Sequence, residues 1–347
     1  MPRRSKPGAP PAPQAPPPVD PTDRAGTLTI GVDMGGTKIA LAVVSESGAI
    51  LSSHRHSTDT ADSADQIVGV IASCIQTCLG DQAHQARAVG AGVAGQIRER
   101  DGVLLNGPNL PWRNVPLAAK LAKATGLPST VVNDVRAAAL GEWKFGAGRG
   151  ERDLVCVFVG TGVGGGIVAD GRLRAGATNT AGEVGHMTIV SDGRTCHCPN
   201  SGCLEAYVGG WAIAERAREL AKARPNDSGR LREIAGSVEQ ITAETVALAY
   251  RGGDPLSREI LEATVEYLSA GLVSLVNVLN PKLLILGGGV IDGLPSLVPA
   301  TEALVRQRAL AAAVGSLRVV RAGLGEDAGV VGAADRARAL LSKGGSA

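Results

Sequence analysis

The sequence predicts an α/β protein made of two related halves. Apolar runs of strand length alternate with helix-period segments along most of the chain. A strand, a glycine turn and a second strand occur together twice, once near residue 30 and again near residue 160. Hydrophobic residues make up 44% of the 347, enough for substantial cores, and at about 150 residues per domain the length favours two. Aromatics supply only 2%, so packing rests on Ala, Val, Leu and Ile, and 47 glycines mark many tight turns.

Residues 1–26 are dense in proline and alanine without apolar periodicity, and read as a polyproline-like tail, either a docking segment or a solvated extension. Order is expected from Thr27. TLTIGVDMGGTKIALAVVS reads as strand, turn and strand, with Gly48 in the next turn and Ala49 to Ser53 as a third strand. Ala61 to Leu79 fits an amphipathic helix with Ile67, Val70, Ile71, Cys74, Ile75 and Cys78 on one face. Cys74 and Cys78, four residues apart, read as core packing rather than metal ligands. Ala88 to Ala94 is a strand, Leu117 to Thr125 a helix, and Val131–Val132 a short strand before the helical AAALGEW. A second round opens with LVCVFVGTGVGGGIVADGRL, its hairpin turn at Asp170–Gly171. Helices are expected at Ala206 to Ala223, Ile241 to Arg251 and Pro255 to Leu279; a strand then runs into Gly287–Gly289, and helices at Glu302 to Leu310 and Ala328 to Leu341 end the pattern.

A formal charge of +2, with acids and bases interspersed, gives no electrostatic case for nucleic acid. MPRRSK runs into proline rather than an apolar signal core, and no apolar run approaches the roughly eighteen residues that span a bilayer. Three of the six cysteines fall within eight residues beside a histidine, which points to metal rather than disulfides. The expectation is a reduced, cytoplasmic protein with no membrane partner.

Two features carry chemistry. The first is the set of glycine turns: Asp33-Met34-Gly35-Gly36-Thr37-Lys38, Gly160-Thr161-Gly162-Val163-Gly164-Gly165-Gly166, and Gly287-Gly288-Gly289. Glycine admits positive φ and close backbone approach, and successive free N–H groups form anion-binding nests. None has Walker A spacing, and none is a GxGxxG opening a helix. The second feature is EVGHMTIVSDGRTCHCPNSGCLE, residues 183–205. His186, Cys196, Cys198 and Cys203 have the count and chemistry of a closed Cys3His structural zinc site. Glu183 and Glu205 bracket those ligands and read as acids presented to something else; for Glu205 an ordinary N-terminal helix charge is the alternative.

DxGGTK, GTGVGGGI and ExGHxxxxxxxxxCxCxxxGCxE, together and in this order, resemble the ROK family of sugar kinases and repressors over about residues 27–342. VVNDVRAAALGEWKFGAG and GEVGHMTI are most similar to its bacterial glucokinases. The resemblance implies an actin-like ATPase (ribonuclease H-like) fold, with two αβ domains around a cleft: 27–135, on which the C-terminal helix (about 328–342) packs back, and 136–327 with the zinc loop. It implies ATP and Mg2+, with Asp33 near the Mg2+ shell, Gly35, Gly36, Thr37 and Lys38 in the first phosphate turn, and Thr161 and Gly162 in the second. Gly287, Gly288 and Gly289 would lie against the adenosine.

Phosphoryl transfer to an alcohol needs alignment, charge neutralisation and a group that takes the hydroxyl proton. The resemblance makes Asp134 that base, although an Asn-Asp pair before a helix is also a common cap. It places Glu183, His186 and Glu205 on the sugar, with Asn133 and Asp134 at its reacting end and Gly95 and Asn109 closing around it. His186 would serve zinc through one ring nitrogen and a sugar hydroxyl through the other. The chain departs from the family at Pro199, where glycine is usual after CxC, and at Arg136, where Asn is common. The activity implied is phosphorylation of the 6-hydroxyl of a hexose, glucose first. An N-acetylhexosamine, mannose or fructose kinase is the alternative among enzymes, and a sugar-sensing repressor the alternative from another class. Polyphosphate is an alternative donor to ATP. The family also implies a homodimer or homotetramer.

Overall fold

A computed structural model describes residues 26–35, 38–57, 62–80, 85–107 and 110–343. Expectations for residues 1–25, Gly36, Thr37 and Asn109 lie outside the described residues.

The first round is β1 (Leu28–Met34), β2 (Lys38–Val44), β3 (Ile50–Ser57), α1 (Ala64–Leu79) and β4 (Ala86–Val93). Next come β5 (Gln96–Arg98), β6 (Val103–Gly107), β7 (Leu110–Val115), α2 (Leu117–Thr125), β8 (Ser129–Asn133) and α3 (Asp134–Lys144). The second round is β9 (Leu154–Val159), β10 (Val163–Ala169) and β11 (Arg172–Leu173), followed by helices α4 (Glu205–Val208), α5 (Gly210–Ala223), α6 (Gly229–Ala235), α7 (Ala243–Arg251) and α8 (Pro255–Leu279). It closes with β12 (Leu283–Gly287), α9 (Gly289–Gly293), α10 (Leu297–Arg308), α11 (Ala311–Val314), β13 (Arg318–Arg321) and α12 (Ala328–Lys343).

Two five-stranded sheets share one plan. Their orders are β3-β2-β1-β4-β8 and β11-β10-β9-β12-β13. In each, an antiparallel meander is extended by parallel strands on the side of its first strand. The repeated strand–turn–strand of the sequence is thus the visible part of a duplicated sheet, as the actin-like resemblance implies. One core lies between the first sheet and α1 and α2, around Ile30, Val32, Leu41, Ile71 and Leu121. A larger one lies between the second sheet and α5, α7 and α8, around Val157, Ile213, Val246, Leu272 and Leu286.

Local chemistry sets several element ends. Ser63 caps α1 in a reciprocal box: its hydroxyl accepts from the Gln66 amide at 3.3 Å, while Gln66 Oε1 accepts from Ser63 N at 2.8 Å. Asp254 caps α8, accepting from Ser257 N at 2.7 Å, with Pro255 at the first helical position.

α12 seats against the opposite face of the first sheet through Val330, Val331 and Ala334. A Cβ on Gly31 of β1 would collide with the Val330 carbonyl, and one on Gly90 of β4 with that of Ala333. These two positions need glycine because helix backbone lies directly on strand backbone. Glu142 in α3 is fully buried, and its carboxylate accepts from the amides of Ala147 (2.9 Å), Gly323 (2.9 Å) and Leu324 (2.7 Å). Three donors offset the desolvation of a buried charge and tie α3 to the segment entering α12.

The structure corrects several of the predicted elements, beginning with the first helix, which starts at Ala64 rather than Ala61 because Ser63 caps it. Gly209 divides the expected Ala206–Ala223 helix into α4 and α5, because it is extended at φ −61° and ψ 150°. The expected helix from Glu302 begins earlier, at Leu297. Thr242 caps α7, so the helix starts at Ala243 rather than Ile241. The third strand continues to Ser57, four residues beyond Ser53. The small sheet β5-β6-β7 and the edge strand β13 were not expected at all. No helix among the described residues is long and apolar enough to cross a membrane.

Candidate active site

Strand register brings the first group of candidate residues together. Asp33 pairs with Gly92 and Met34 with Val93 across β1 and β4, and Val93 pairs with Asn133 across β4 and β8. Asp33, Gly95 and Asn133–Asp134 therefore gather at the carboxyl ends of three parallel strands, where open α/β sheets place ligands. Asn133 is the N-cap of α3: its Oδ1 accepts from Arg136 N at 3.0 Å, and its Nδ2 donates to the Gly95 carbonyl at 3.3 Å. Gly95 has φ +142°, and a Cβ there would meet the Asn106 carbonyl, so only glycine fits this approach. Asp134 is both the first residue of α3 and the last step of this line of strand ends.

The two aspartates sit in an environment that resists their charge. Burial pushes the Asp33 carboxyl up to about 7; the charge of Asp134 adds to this, and Lys38 acts against it. Asp134 is also raised, chiefly by burial and further by Glu183, while the amides of Val135 and Asp134 pull it back. A pair of half-buried carboxyls of this kind suits a cation on one side and a proton to be taken on the other. Lys38 itself is exposed, 3.9 Å from Glu326. The first glycine turn is closed by Gly35 N donating to the Lys38 carbonyl at 3.0 Å.

The second turn is held from outside. Gly210 N and Trp211 N, at the start of α5, donate to the carbonyls of Gly160 (2.9 Å) and Thr161 (3.2 Å). Glu205 Oε2 accepts from Val163 N at 2.7 Å, and Glu205 Oε1 accepts from Trp211 Nε1 at 3.4 Å. The amides of Thr161 and Gly162 find no acceptor among the described residues, so the turn offers two adjacent donors, the makings of an anion nest. Gly287 pairs with Phe158 in register, and Gly288, at φ +90°, would set a Cβ 2.6 Å from the Val159 carbonyl. The third glycine run thus lies beside the second turn, and around Gly289 there is open space.

Glu183 and His186 flank a short 3-10 turn, Val184–His186, and both are exposed. A Cβ on Gly185 would overlap the Val163 carbonyl, so this segment is pressed onto β10, which begins at the second turn. His186, Cys196, Cys198 and Cys203 converge, with all ligand atoms within 4.8 Å of one another. Cys196 Sγ is 3.8 Å from His186 Nδ1, and Cys198 Sγ is 3.6 Å from Cys203 Sγ. Edges of about 3.4–3.8 Å are those of a tetrahedron with zinc–ligand bonds of about 2.0–2.3 Å. Pro199 lies between Cys198 and Asn200, and Asn200 Nδ2 donates to Cys203 Sγ at 3.6 Å, supplying a donor to a sulfur in a loop where proline lacks one.

Sequence reasoning missed two parts of this site. One is the grip of Glu205 and Trp211 on the second turn, which gives Glu205 partners other than a sugar; forty-two residues separate Glu205 from Val163, and nothing local announces the pair. The other is Arg136, which is 5% exposed and ion-paired to Glu99 at 2.5 Å, while Glu99 also holds Arg336 at 3.1 Å. The residue that replaces the common Asn therefore fastens the β5–β6 turn to α3 and α12.

The model of the ROK family matches residues 29–339. A glucokinase from Streptomyces coelicolor is 39% identical over 313 residues, covering 90% of this chain and 98% of its own. A ROK family glucokinase from Streptomyces griseus, solved with glucose and AMPPNP, superposes with a TM-score of 0.79 at 38% identity, over 90% of this chain and 99% of its own. A xylose repressor from Caldicellulosiruptor bescii is 30% identical over 262 residues, covering 74% of this chain and 65% of its own.

Proposed function

The chain belongs to the ROK family, and from that premise we propose that it is an ATP-dependent hexokinase that converts glucose to glucose 6-phosphate. The observation that carries this reading is the half-buried Asp134 just past the end of β8, in line with Asp33 and close enough to Glu183 to feel its charge. In the proposed mechanism, Asn133 and Asp134 hold the reacting end of the sugar, and Asp134 accepts the 6-hydroxyl proton as the oxygen bonds to phosphorus. Burial that raises its pKa makes it a stronger base once ionised. Glu183 and His186 accept and donate to the remaining hydroxyls. Glu205, with lone pairs left beyond its two present bonds, joins them while keeping the second turn in place. Gly95 and Asn109 close the sugar's surroundings.

The nucleotide lies between the two turns. Gly35 and Lys38 on one side and Thr161 and Gly162 on the other offer its phosphates N–H, hydroxyl and ammonium donors, and the family motif would add Gly36 and Thr37 to the first group. Gly287, Gly288 and Gly289 line the adenosine. Mg2+ would sit by Asp33, whose carboxyl is ready to exchange a proton for a cation near neutrality, and would neutralise charge on the transferred phosphoryl group. Zinc would be held by His186, Cys196, Cys198 and Cys203, which fill four positions and leave none for Lewis-acid chemistry. Residues 27–135 with α12, and 136–327, form the two walls. Assembly as a homodimer or homotetramer and residence in the cytoplasm belong to the same reading.

A coupled ADP-release assay across glucose, mannose, fructose and N-acetylated hexosamines tests the substrate. Glucose is expected to give the highest kcat/KM by at least about tenfold. A panel led by an N-acetylhexosamine overturns the glucose assignment, and a flat zero overturns the kinase.

The raised carboxyls also fix a pH dependence. Asp134 works only when ionised, so kcat/KM falls on the acid side at a pH above the ordinary carboxylate range. The sign for stability is opposite. Groups whose folded pKa is raised stabilise the ligand-free fold fully below their unfolded values, and that contribution is lost as pH rises through the folded ones, about 7 for Asp33. A pH–rate profile with its acid limb at the position of a free aspartate contradicts the first, and a ligand-free melting temperature that does not fall as pH rises through about 7 contradicts the second.

A further inference from the structure

We propose a second metal site, for a borderline divalent ion of the zinc class, formed by His54, His56 and Cys74 on the far edge of the first sheet. Register puts the two histidines there. His54 pairs with Leu41 and His56 with Ile39, and both of those β2 residues are buried against α1. His54 and His56 therefore place two imidazoles on the face of β3 that borders this apolar side of β2. Neither ring has a hydrogen-bond partner among the described residues. Arg55, between them, points to the other face and pairs with Glu326 at 3.1 Å.

Cys74 comes to the same place from α1 and is buried, while His54 is half-buried and His56 exposed. The ring nitrogens and Sγ all lie within 4.8 Å of one another. Ligand edges around a tetrahedral ion are about 3.3–3.8 Å, so a turn of the exposed His56 side chain is enough to close the set. Ser52, next on the same face, donates to the Cys78 carbonyl at 2.6 Å and fixes the strand against the helix. Two imidazoles and one thiolate suit zinc, cobalt or copper better than calcium or magnesium. Binding would release the Cys74 thiol proton to solvent as the metal–sulfur bond forms, leaving one position for water. The spacing of Cys74 and Cys78 alone suggests only core packing, because the histidines that complete the site lie about twenty residues away on another element.

The site is separate from the Cys3His cluster, so stoichiometry distinguishes them. Full-length protein dialysed against micromolar Zn2+ is expected to retain two ions per chain, and His56→Gln and Cys198→Ser one each. If wild type and His56→Gln hold the same number, the proposal fails. In a Cys196→Ser/Cys198→Ser/Cys203→Ser background, which leaves no thiolate in the loop, Co2+ is expected to give a near-ultraviolet sulfur-to-cobalt band that a further Cys74→Ser change removes. Persistence of that band excludes Cys74 as a ligand and also overturns the site.

Discussion

Asp134→Asn lowers kcat for glucose phosphorylation by about 10²–10⁴-fold, the range of a lost general base, while glucose affinity stays within about threefold. The asymmetry follows from what the substitution removes. Asn133 stays bonded to the Gly95 carbonyl and keeps capping α3, and the exposed Glu183 and His186 are untouched. An amide at position 134 keeps the shape of the carboxyl and a hydrogen bond to the sugar, but it cannot take the proton. Single-turnover kinetics with isothermal binding of glucose separate the two effects. Near-normal kcat sinks the assignment, and loss of glucose binding with kcat intact recasts Asp134 as a binding residue.

The same substitution has a signature that simple misfolding would not give. The charge of Asp134 is one of the causes that raise Asp33. Removing it lets Asp33 ionise at lower pH and relieves repulsion between two half-buried carboxyls, so the ligand-free variant is expected to melt higher than wild type at neutral pH. An enzyme that holds two poorly solvated carboxyls together gives up stability for function. A less active variant that is also more stable is the expected result.

The parts of the molecule legible in the sequence are those written in local pattern. Apolar runs and glycine turns marked β1, β2, β9 and β10; helical period marked α1, α2 and α8; and the cysteine spacing marked the loop whose four ligand atoms converge. What escaped is defined by distant partners. β5, β6 and β7 are short, carry Arg98, Asn106 and Arg113, and contribute mainly Ile97, Leu104 and Trp112 to the core, so they show neither alternation nor strand composition. β13 reads Arg-Val-Val-Arg and is a strand because β12 is beside it. Glu142 looks like any helix acid until the Gly323 and Leu324 amides reach it from 181 and 182 residues away. Gly209 sits in a helix-period segment, and its break becomes intelligible only when Gly210 and Trp211 are seen donating to the second glycine turn.

The largest expected effect on substrate binding comes from the cysteine loop. Cys198→Ser, or prolonged chelation, raises the glucose KM by about thirtyfold or more, and limited proteolysis becomes faster between Met187 and Cys203. Cys196 and Cys203 are its buried apolar side chains and Met187, Ile189 and Val190 pack only at the margin of the core, so a metal held by the four ligands would supply order that burial alone does not. Its carboxylates stand at either end: Glu183 just before the His186 turn, and Glu205 two residues after Cys203. If only two residues relax when the metal leaves, reordering them on the sugar costs about 2–4 kcal/mol, which is about thirty- to a thousandfold in affinity. Because Glu205 also grips Val163, the ATP KM rises as well, though less, since Gly210 and Trp211 still hold the turn. Re-addition of zinc to the chelated wild type restores both constants, whereas the serine variant stays impaired. A chelated, metal-free protein with unchanged glucose KM shows that the loop stands without its metal.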